Sequence, residues 1–211
     1  MKPKIIPAIL TDSKADFKDK LEKFKGLTSW LSIDITDGMF VEGVSLQPAD
    51  LLEFEIPFKI ELHLMVDSPQ SYFSVGHKLG AKRLIFQIEA SSDVRQLITE
   101  ARMFDFEVGL ALNPETELKK IVPFVDDVDT ILLLSVKPGR QGQEFISQTI
   151  DRIKRLKIIA PRVKIEVDGG INQNNIKEVV AAGADILIVG SAIVGQADFK
   201  QAIKNLKDQL K

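Results

Sequence analysis

Two short segments near the end of the chain combine β-forming residues with glycine and a helix start. Residues 166–171 read EVDGGI, and residues 189–192 read VGSA. Glycine in such a turn lets backbone N–H groups approach an anion closely, and the N-terminus of the following helix carries a partial positive charge. The pattern predicts a bound phosphate beside Asp168. Its ligands would be Gly169, Gly170, Gly190 and Ser191.

Two earlier segments carry polar side chains that alternation places on one face of a strand. Residues 32–38 read SIDITDG, and residues 61–65 read ELHLM. Period-two alternation points Asp34 and His63 inward, where an ionisable group is costly unless it has a use. Asp34 and Asp168 on opposite sides of a small substrate would suit removal of a proton from one face of a carbon and its return to the other. Together with His63 they also suit a divalent metal that stabilises an enediolate.

The elements that must position these groups alternate along the whole chain. Runs of β-branched residues or leucine predict eight strands at residues 4–10, 30–36, 58–65, 83–87, 107–112, 130–135, 164–167 and 186–189. Alternation with helices implies right-handed βαβ units and a parallel sheet. Eight units in 211 residues fit one domain, residues 1–211, folded as a single (β/α)8 TIM barrel. An open doubly wound sheet would usually place a glycine-rich turn after its first strand, which here ends in PAILT.

Capping residues mark the helices between the strands. Helix starts are predicted at Ser13, Ser68-Pro69, residues 91–93, Asn113-Pro114 and Asn172, and helix ends at Gly26, Gly80 and Gly183. In an eight-stranded ring, strands two and seven lie three steps apart, and strands three and seven lie opposite. Asp34 and Asp168 would therefore face each other across the barrel mouth, with His63 beside Asp34.

The composition is that of an ordinary enzyme-sized domain. A net charge of −2 gives no reason to expect a nucleic-acid or anionic-membrane partner. The absence of cysteine excludes disulfides and thiolate metal sites and agrees with a reducing compartment. No apolar run approaches the roughly 18 residues that span a bilayer, and the apolar run that follows Lys4 is shorter than expected for a signal sequence. These features predict a cytoplasmic protein.

Each candidate residue also has a plainer interpretation. Asp37 is best explained as a loop hydrogen-bonding group, and His77, on a predicted helix far from any strand end, as a solvated histidine. For Asp34 and Asp168 a functional role is favoured, because strand alternation points their side chains inward and a glycine turn lies nearby. His63 could be a structural histidine, but its face also carries Met65 and points inward, so a functional role is favoured.

The chain resembles the ribulose-phosphate 3-epimerase family over nearly its full length. Seven blocks carry the resemblance in family order: PAIL at 7–10, DITDG with FV at 34–41, LHLMV at 62–66, GLALNP at 109–114, SVKPG with GQ at 135–143, VDGG at 167–170 and GSAI at 190–193. The resemblance implies a (β/α)8 barrel that interconverts D-ribulose 5-phosphate and D-xylulose 5-phosphate at C3, with a divalent metal cation as cofactor and a phosphorylated ketose as substrate.

The resemblance also implies roles for individual residues. Asp34 and Asp168 would be the acid/base pair and metal ligands, and His63 a third ligand. Met65 would form a wall beside the enediolate. Gly142, Gly169, Gly170, Gly190 and Ser191 would hold the phosphate.

The departures from the family concentrate at the reaction pocket. Ser32 stands where the family usually has a histidine ligand, so metal binding is expected to be weakened. The other departures are Ala8 for serine, Thr36 and Leu134 for methionines, Gln87 for a frequent histidine, Lys137 for asparagine, and a loop that reads GRQG at residues 139–142.

Three functions fit this pattern. The favoured one is a ribulose-phosphate 3-epimerase that moves a proton at C3. The second is an epimerase of another ketose phosphate, such as a hexulose 6-phosphate, and the third is a non-catalytic phosphosugar-binding paralogue. A decarboxylase of the orotidylate type would need a lysine on strand three, which ELHLM lacks. The metal, the sugar and the oligomeric state, including a homo-oligomer, stay open.

Overall fold

The structure, a computed structural model, describes residues 3–211 and forms a closed barrel of eight parallel strands in chain order. The strands are β1 (Lys4–Ile9), β2 (Trp30–Thr36), β3 (Lys59–Met65), β4 (Arg83–Gln87), β5 (Glu107–Leu112), β6 (Thr130–Leu134), β7 (Lys164–Asp168) and β8 (Ile186–Val189). The barrel closes where β1 pairs with β8. The predicted (β/α)8 TIM barrel is confirmed, and its strands begin and end within one residue of the predicted positions.

The helices follow the strands around the outside of the barrel. They are α1 (Lys14–Phe24), α2 (Pro48–Leu51), α3 (Phe73–Lys78), α4 (Val94–Arg102), α5 (Thr149–Ile159), α6 (Ile176–Ala181), α7 (Ser191–Val194) and α8 (Phe199–Asp208). The predicted start at Ser13 is confirmed, because its side chain accepts a hydrogen bond from the N–H of Asp16. Gly26, Gly80 and Gly183 all have positive φ, as predicted for helix ends.

The helix start predicted at Asn113-Pro114 is wrong for an α-helix. The chain between β5 and β6 instead forms two 3₁₀ turns, Leu118–Lys120 and Val122–Phe124. Pro123 explains the difference, since proline has no N–H to donate and its ring clashes with the carbonyl one turn earlier. The segment therefore stays in short turns, and the outer ring lacks an α-helix between β5 and β6 in the described part of the chain.

An ion network fills the N-terminal end of the barrel interior. The Nη1 atom of Arg83 lies 2.7 Å from Glu61 Oε2 and 3.1 Å from Glu166 Oε2, and Nε and Nη2 contact Glu107. Burial and the nearby charge of Glu61 raise the pKa of Glu166 well above its ordinary value, although Arg83 opposes them. The Trp30 ring packs against the guanidinium, 4.9 Å from ring centroid to carbon. This layer closes the barrel beneath the groups at its C-terminal mouth.

Candidate functional site

Three ionisable side chains converge at the C-terminal mouth of the barrel. Asp34 on β2 and His63 on β3 are register partners, and Asp168 is the last residue of β7. His63 Nδ1 lies 3.1 Å from Asp34 Oδ1 and 3.6 Å from Asp168 Oδ2. One ligand atom from each residue falls within 4.8 Å of the others. The narrow interior thus brings together three groups that are far apart in sequence.

Burial shifts the protonation of this triad. Two small clusters of buried apolar residues lie apart from the main core: one consists of Ile6, Ala8, Trp30, Ile186 and Ile188, and the other of Ile85, Ala111, Leu132 and Leu134. Burial and the charge of Asp34 raise the pKa of Asp168 to about 8, against the opposing charge of His63. Burial lowers the pKa of His63, but the hydrogen bond and charge of Asp34 outweigh it and leave the pKa above its ordinary value.

Two neutral polar side chains complete the inner wall. Gln87, at the end of β4, places its Nε2 atom 2.9 Å from His63 Nε2. Ser32 lies two residues before Asp34 on β2 and is 1% exposed. Its Oγ atom has no hydrogen-bond partner among residues 3–211, and neither does Gln87 Oε1. Polar atoms in this state mark the places where a ligand or water would be expected to bond.

The glycine turn after β7 has a conformation that other residues would disfavour. Gly169 and Gly170 have φ values of +111° and +64°. A Cβ on Gly169 would lie 2.4 Å from Val136 Cγ2, and one on Gly170 would lie 2.6 Å from the backbone nitrogen of Phe145. Both glycines are therefore required by close packing as well as by φ.

Three side chains that the sequence reasoning did not select hold this turn. The Ser135 hydroxyl donates to the carbonyls of Asp168 and Gly169, at 2.8 and 2.6 Å. The amides of Asn172 and Asn175 both donate to the carbonyl of Gly170. Ser135 is the last residue of the predicted strand six, and the asparagines stand at a predicted helix start, so their positions were the only sequence signal for them.

The remaining predicted substrate residues line one cleft above the triad. It contains Met65, Gly142, Gly169, Gly170, Gly190 and Ser191, together with Asp34 and Asp168. The loop of residues 137–143 forms one wall of the cleft, and Gln141 reaches from it toward β8. Gln141 Nε2 lies 3.1 Å from where a Cβ on Gly190 would be. The structure thus places every predicted site residue around this cleft except His63, which lies beneath it.

The two residues given plainer explanations behave as expected. Asp37 accepts hydrogen bonds from the N–H groups of Met39, Phe40 and Asp67. Burial raises its pKa, but these backbone donors outweigh burial and leave the pKa below its ordinary value. His77 is exposed on α3, and its Nδ1 lies 3.1 Å from the carbonyl oxygen of Phe104.

The donor set at the triad fits a metal ion. Two carboxylates and an imidazole are ligands that divalent first-row metals accept, and here their ligand atoms already converge. Ser32 would contribute at most a neutral hydroxyl, whose buried oxygen finds no bond elsewhere in the described chain. Asp34, His63 and Asp168 therefore form a group that could hold a cation.

Fold comparisons agree with the barrel. The 3-hexulose-6-phosphate synthase of Salmonella typhimurium superposes with a TM-score of 0.71 at 18% identity, covering 98% of each chain. Orotidine 5′-phosphate decarboxylase from Pyrococcus horikoshii superposes with a TM-score of 0.69 at 15% identity, again over 98% of each chain. At such identities the likeness concerns the fold alone. No helix among residues 3–211 has the length and apolar character needed to cross a bilayer.

Sequence comparisons are more specific. Ribulose-phosphate 3-epimerase of Bacillus subtilis (strain 168) is 33% identical over 213 residues, which span 97% of this chain and 98% of that protein. The enzyme of the same name from Escherichia coli (strain K12) is 33% identical over 98% of this chain and 95% of its own length. A sequence model of the ribulose-phosphate 3 epimerase family matches residues 4–194, a span that holds every group described above. The chain therefore belongs to the ribulose-phosphate 3-epimerase family.

Proposed function

We propose that this protein interconverts D-ribulose 5-phosphate and D-xylulose 5-phosphate by moving the proton on C3. The observation that carries the proposal is the pair of carboxyl groups, Asp34 and Asp168, that meet over one buried histidine at the barrel mouth. Family membership and this geometry together support the proposal. A shared fold alone would support only membership of a superfamily and not a particular activity.

The reaction assigns one carboxyl group to each face of C3. One aspartate takes the C3 proton, the electron pair of the C–H bond forms the C2–C3 double bond, and the carbonyl oxygen gains negative charge. The other aspartate then delivers a proton to the opposite face, which inverts C3 and restores the ketone. The raised pKa of Asp168, about 8, keeps one carboxyl group in the donating form near neutral pH when no cation is bound.

We assign the cofactor as a divalent cation held by Asp34, His63 and Asp168. Such an ion would stabilise the negative charge of the enediolate. With Ser32 in place of an imidazole, the set offers three strong ligands, and we expect weaker cation binding than a four-ligand set would give. The chain's own groups still orient the pair, because Asp34 and Asp168 both contact the same ring nitrogen of His63.

The phosphate end of the substrate would lie above β7 and β8. We assign its ligands to backbone N–H groups at Gly142, Gly169, Gly170, Gly190 and Ser191, which border the same cleft as the carboxyl groups. Met65 would form the wall beside the enediolate. A cytoplasmic location, the absence of a nucleic-acid partner and the oligomeric state stay predictions from the sequence.

A second candidate is an epimerase of another ketose phosphate, such as a hexulose 6-phosphate. The observation that favours it is the pair of small buried side chains at Ala8 and Ser32, of which the Ser32 hydroxyl has no hydrogen-bond partner in the described chain. These small side chains would leave room for a different sugar. A non-catalytic phosphosugar-binding protein is the third candidate. It would leave two carboxyl groups in an apolar barrel mouth without use, which is energetically costly.

One experiment separates these candidates. Metal-supplemented protein, handled anaerobically, is incubated in D₂O with ribulose 5-phosphate or with a hexulose 6-phosphate, and deuterium at C3 is followed by NMR. The proposed function predicts exchange and inversion with the pentulose, and loss of inversion in Asp168→Asn. Exchange only with the hexulose would support the second candidate. Binding of both sugars without exchange under any metal would sink the epimerase proposal.

A further inference from the structure

The buried amide of Gln87 contacts one of the two ring nitrogens of His63. Gln87 is 0% exposed, and its Nε2 lies 2.9 Å from His63 Nε2. The other ring nitrogen, Nδ1, faces Asp34 and Asp168 at 3.1 and 3.6 Å. Within residues 3–211, Gln87 supplies the hydrogen bond that His63 Nε2 makes. The two nitrogens thus serve different partners, one a neutral amide and the other a pair of carboxyl groups.

The hydrogen bond to Gln87 determines where the proton of a neutral imidazole resides. An amide nitrogen can only donate, so with Nε2 of Gln87 facing the ring, His63 Nε2 must accept and the single ring proton lies on Nδ1. The lone pair of Nδ1, which would point between Asp34 and Asp168, is then used to bond this proton. In this tautomer the nitrogen nearest the carboxyl groups cannot ligate a cation, because a metal-bound nitrogen carries no proton.

An amide differs from other side chains because a half-turn exchanges its donor with its acceptor. With Oε1 turned toward the ring, Gln87 would accept from His63 Nε2–H, and Nδ1 would be free of a proton. The oxygen is available for this, since Gln87 Oε1 is buried and bonded to nothing else in the described chain. The exchange therefore breaks no other hydrogen bond of that oxygen.

We infer that Gln87 is a positioning residue: with its Oε1 turned toward the ring, it holds His63 in the tautomer able to bind a cation through Nδ1. The inference rests on the cation site of the proposed function, which it deepens by naming the group that prepares the imidazole. Ligating histidines commonly give their second N–H to an acceptor, and removing such a partner typically weakens metal binding about 10–100-fold. Gln87 does not touch the substrate in this scheme and acts only through His63.

Two substitutions of similar size separate an acceptor from a packing group. Gln87→Met fills the space with no acceptor, whereas Gln87→Glu keeps an acceptor oxygen. With Zn²⁺ as the probe, isothermal titration calorimetry should show affinity about 10–100-fold weaker in Gln87→Met and no weaker than wild type in Gln87→Glu. A packing role predicts the reverse order, because a buried carboxylate is costlier than a thioether. Circular dichroism and thermal unfolding would show whether both variants fold. If Gln87→Glu does not fold, the Zn²⁺ affinity of Gln87→Met is sufficient to test the inference.

The chain allows a direct view of the ring, because it contains only two histidines. In protein labelled with ¹⁵N-histidine, His77→Gln assigns the spectrum by removing the second ring. In Zn²⁺-loaded wild type, His63 should show a protonated, slowly exchanging Nε2 and an unprotonated Nδ1. In Gln87→Met the Nε2 proton should exchange faster.

The outcomes distinguish the inference from the function on which it rests. If wild-type protein binds no Zn²⁺, the cation site and this inference both fail. If wild type binds Zn²⁺ and Gln87→Met binds it equally well, only the role of Gln87 is overturned. A Zn²⁺-loaded spectrum with Nδ1 protonated and Nε2 unprotonated would overturn it as well, because the metal would then bind the nitrogen that Gln87 contacts.

Discussion

Ala8 and Ser32 are partners in the parallel pairing of β1 and β2, and both place small side chains in the buried interior of the barrel. The family that this chain resembles usually has serine and histidine at these two positions. These two departures therefore fall side by side on one wall of the mouth. Asp34, His63 and Asp168 nevertheless converge. The two departures remove hydrogen-bonding and ligating capacity from that wall without displacing the triad.

Replacing Ser32 with histidine should tighten cation binding. An imidazole is a stronger ligand than a hydroxyl. The strand partner of Ser32 is Ala8, whose small side chain leaves space for the imidazole. We expect Zn²⁺ affinity to rise by at least about tenfold, the lower end of what even an indirect partner of a metal ligand contributes. Calorimetry measures the change. Ser32→Ala is the matched control and should leave affinity nearly unaltered; unchanged affinity in Ser32→His would show that this position is not a ligand position.

The fold was largely readable from the sequence because its signals are local. Each strand is a short apolar run bounded by polar residues, and Ser13 and Gly26 mark the ends of α1 as expected. The ion network around Arg83 was not readable. Arg83 begins a strand, as exposed residues often do, and its glutamate partners come from three other strands. Only barrel closure shows that they share one buried space.

The candidate site divides in the same way. Counting strands around a ring was enough to predict that Asp34 and Asp168 meet near His63, because β-strand alternation and barrel symmetry fix those directions. The approach of Gln141 to Gly190 was not predictable, since it depends on the path of an irregular loop. The orientation of the Gln87 amide likewise depends on which neighbouring atoms are already bonded.

Each aspartate should be needed for turnover but not for substrate affinity. Asp34→Asn and Asp168→Asn are expected to lower kcat about 10²–10⁴-fold each, because neither carboxyl group can reach the face that the other serves. Phosphosugar binding, measured by calorimetry, should change little because the proposed phosphate donors are separate backbone groups. Deuterium exchange sharpens the test. In one direction of the reaction, losing the abstracting aspartate should stop exchange at C3, whereas losing the reprotonating one can leave exchange without inversion. Equal residual inversion in both variants would contradict a two-sided mechanism.

Two glycines of the cleft should respond differently to alanine. Gly170→Ala forces φ +64° on a residue with a side chain and brings its Cβ within 2.6 Å of the backbone of Phe145, so we expect a loss of at least about 1–2 kcal/mol in urea unfolding. Gly190→Ala meets only the movable end of Gln141 and should fold normally. It should weaken phosphosugar binding about tenfold or more, the loss of one charge-assisted hydrogen bond worth roughly 1.5–3 kcal/mol.

The double variant Gln141→Ala, Gly190→Ala separates two causes of that weakening. Recovery of affinity would assign the loss to displacement of Gln141 into the cleft, and persistent loss would assign it to the obstructed backbone at Gly190. Unaltered phosphosugar affinity in Gly190→Ala itself would move the phosphate site away from β8.

The protonation of the triad predicts how stability depends on pH. In the metal-free protein the pKa of Asp168 is raised from 3.8 to about 8, so the folded state holds a proton that the unfolded state releases across this range. The raised pKa values of His63 and Glu166 act with the same sign. Because the folded state binds more protons, its free energy of unfolding falls as pH rises. Lys4, whose pKa is lowered to about 8, acts in the opposite direction, but only above that pH.

We therefore expect metal-free protein, prepared with a chelator, to lose this contribution to stability between about pH 4 and pH 8, by up to about 1.4 kcal/mol per pH unit for each proton involved. Urea unfolding at several pH values measures the slope. Asp168→Asn cannot hold that extra proton, so its stability should fall less steeply with pH, by the contribution of one titrating group. Asp37→Asn is the control and should not flatten the slope, because the pKa of Asp37 is shifted downward. Added Zn²⁺ should reverse the trend, because a cation competes with protons for the same ligand atoms and binds better as pH rises. A slope that is identical in wild type and Asp168→Asn would show that Asp168 is already ionised at neutral pH, and the assignment of a donating carboxyl group would then have to pass to Asp34.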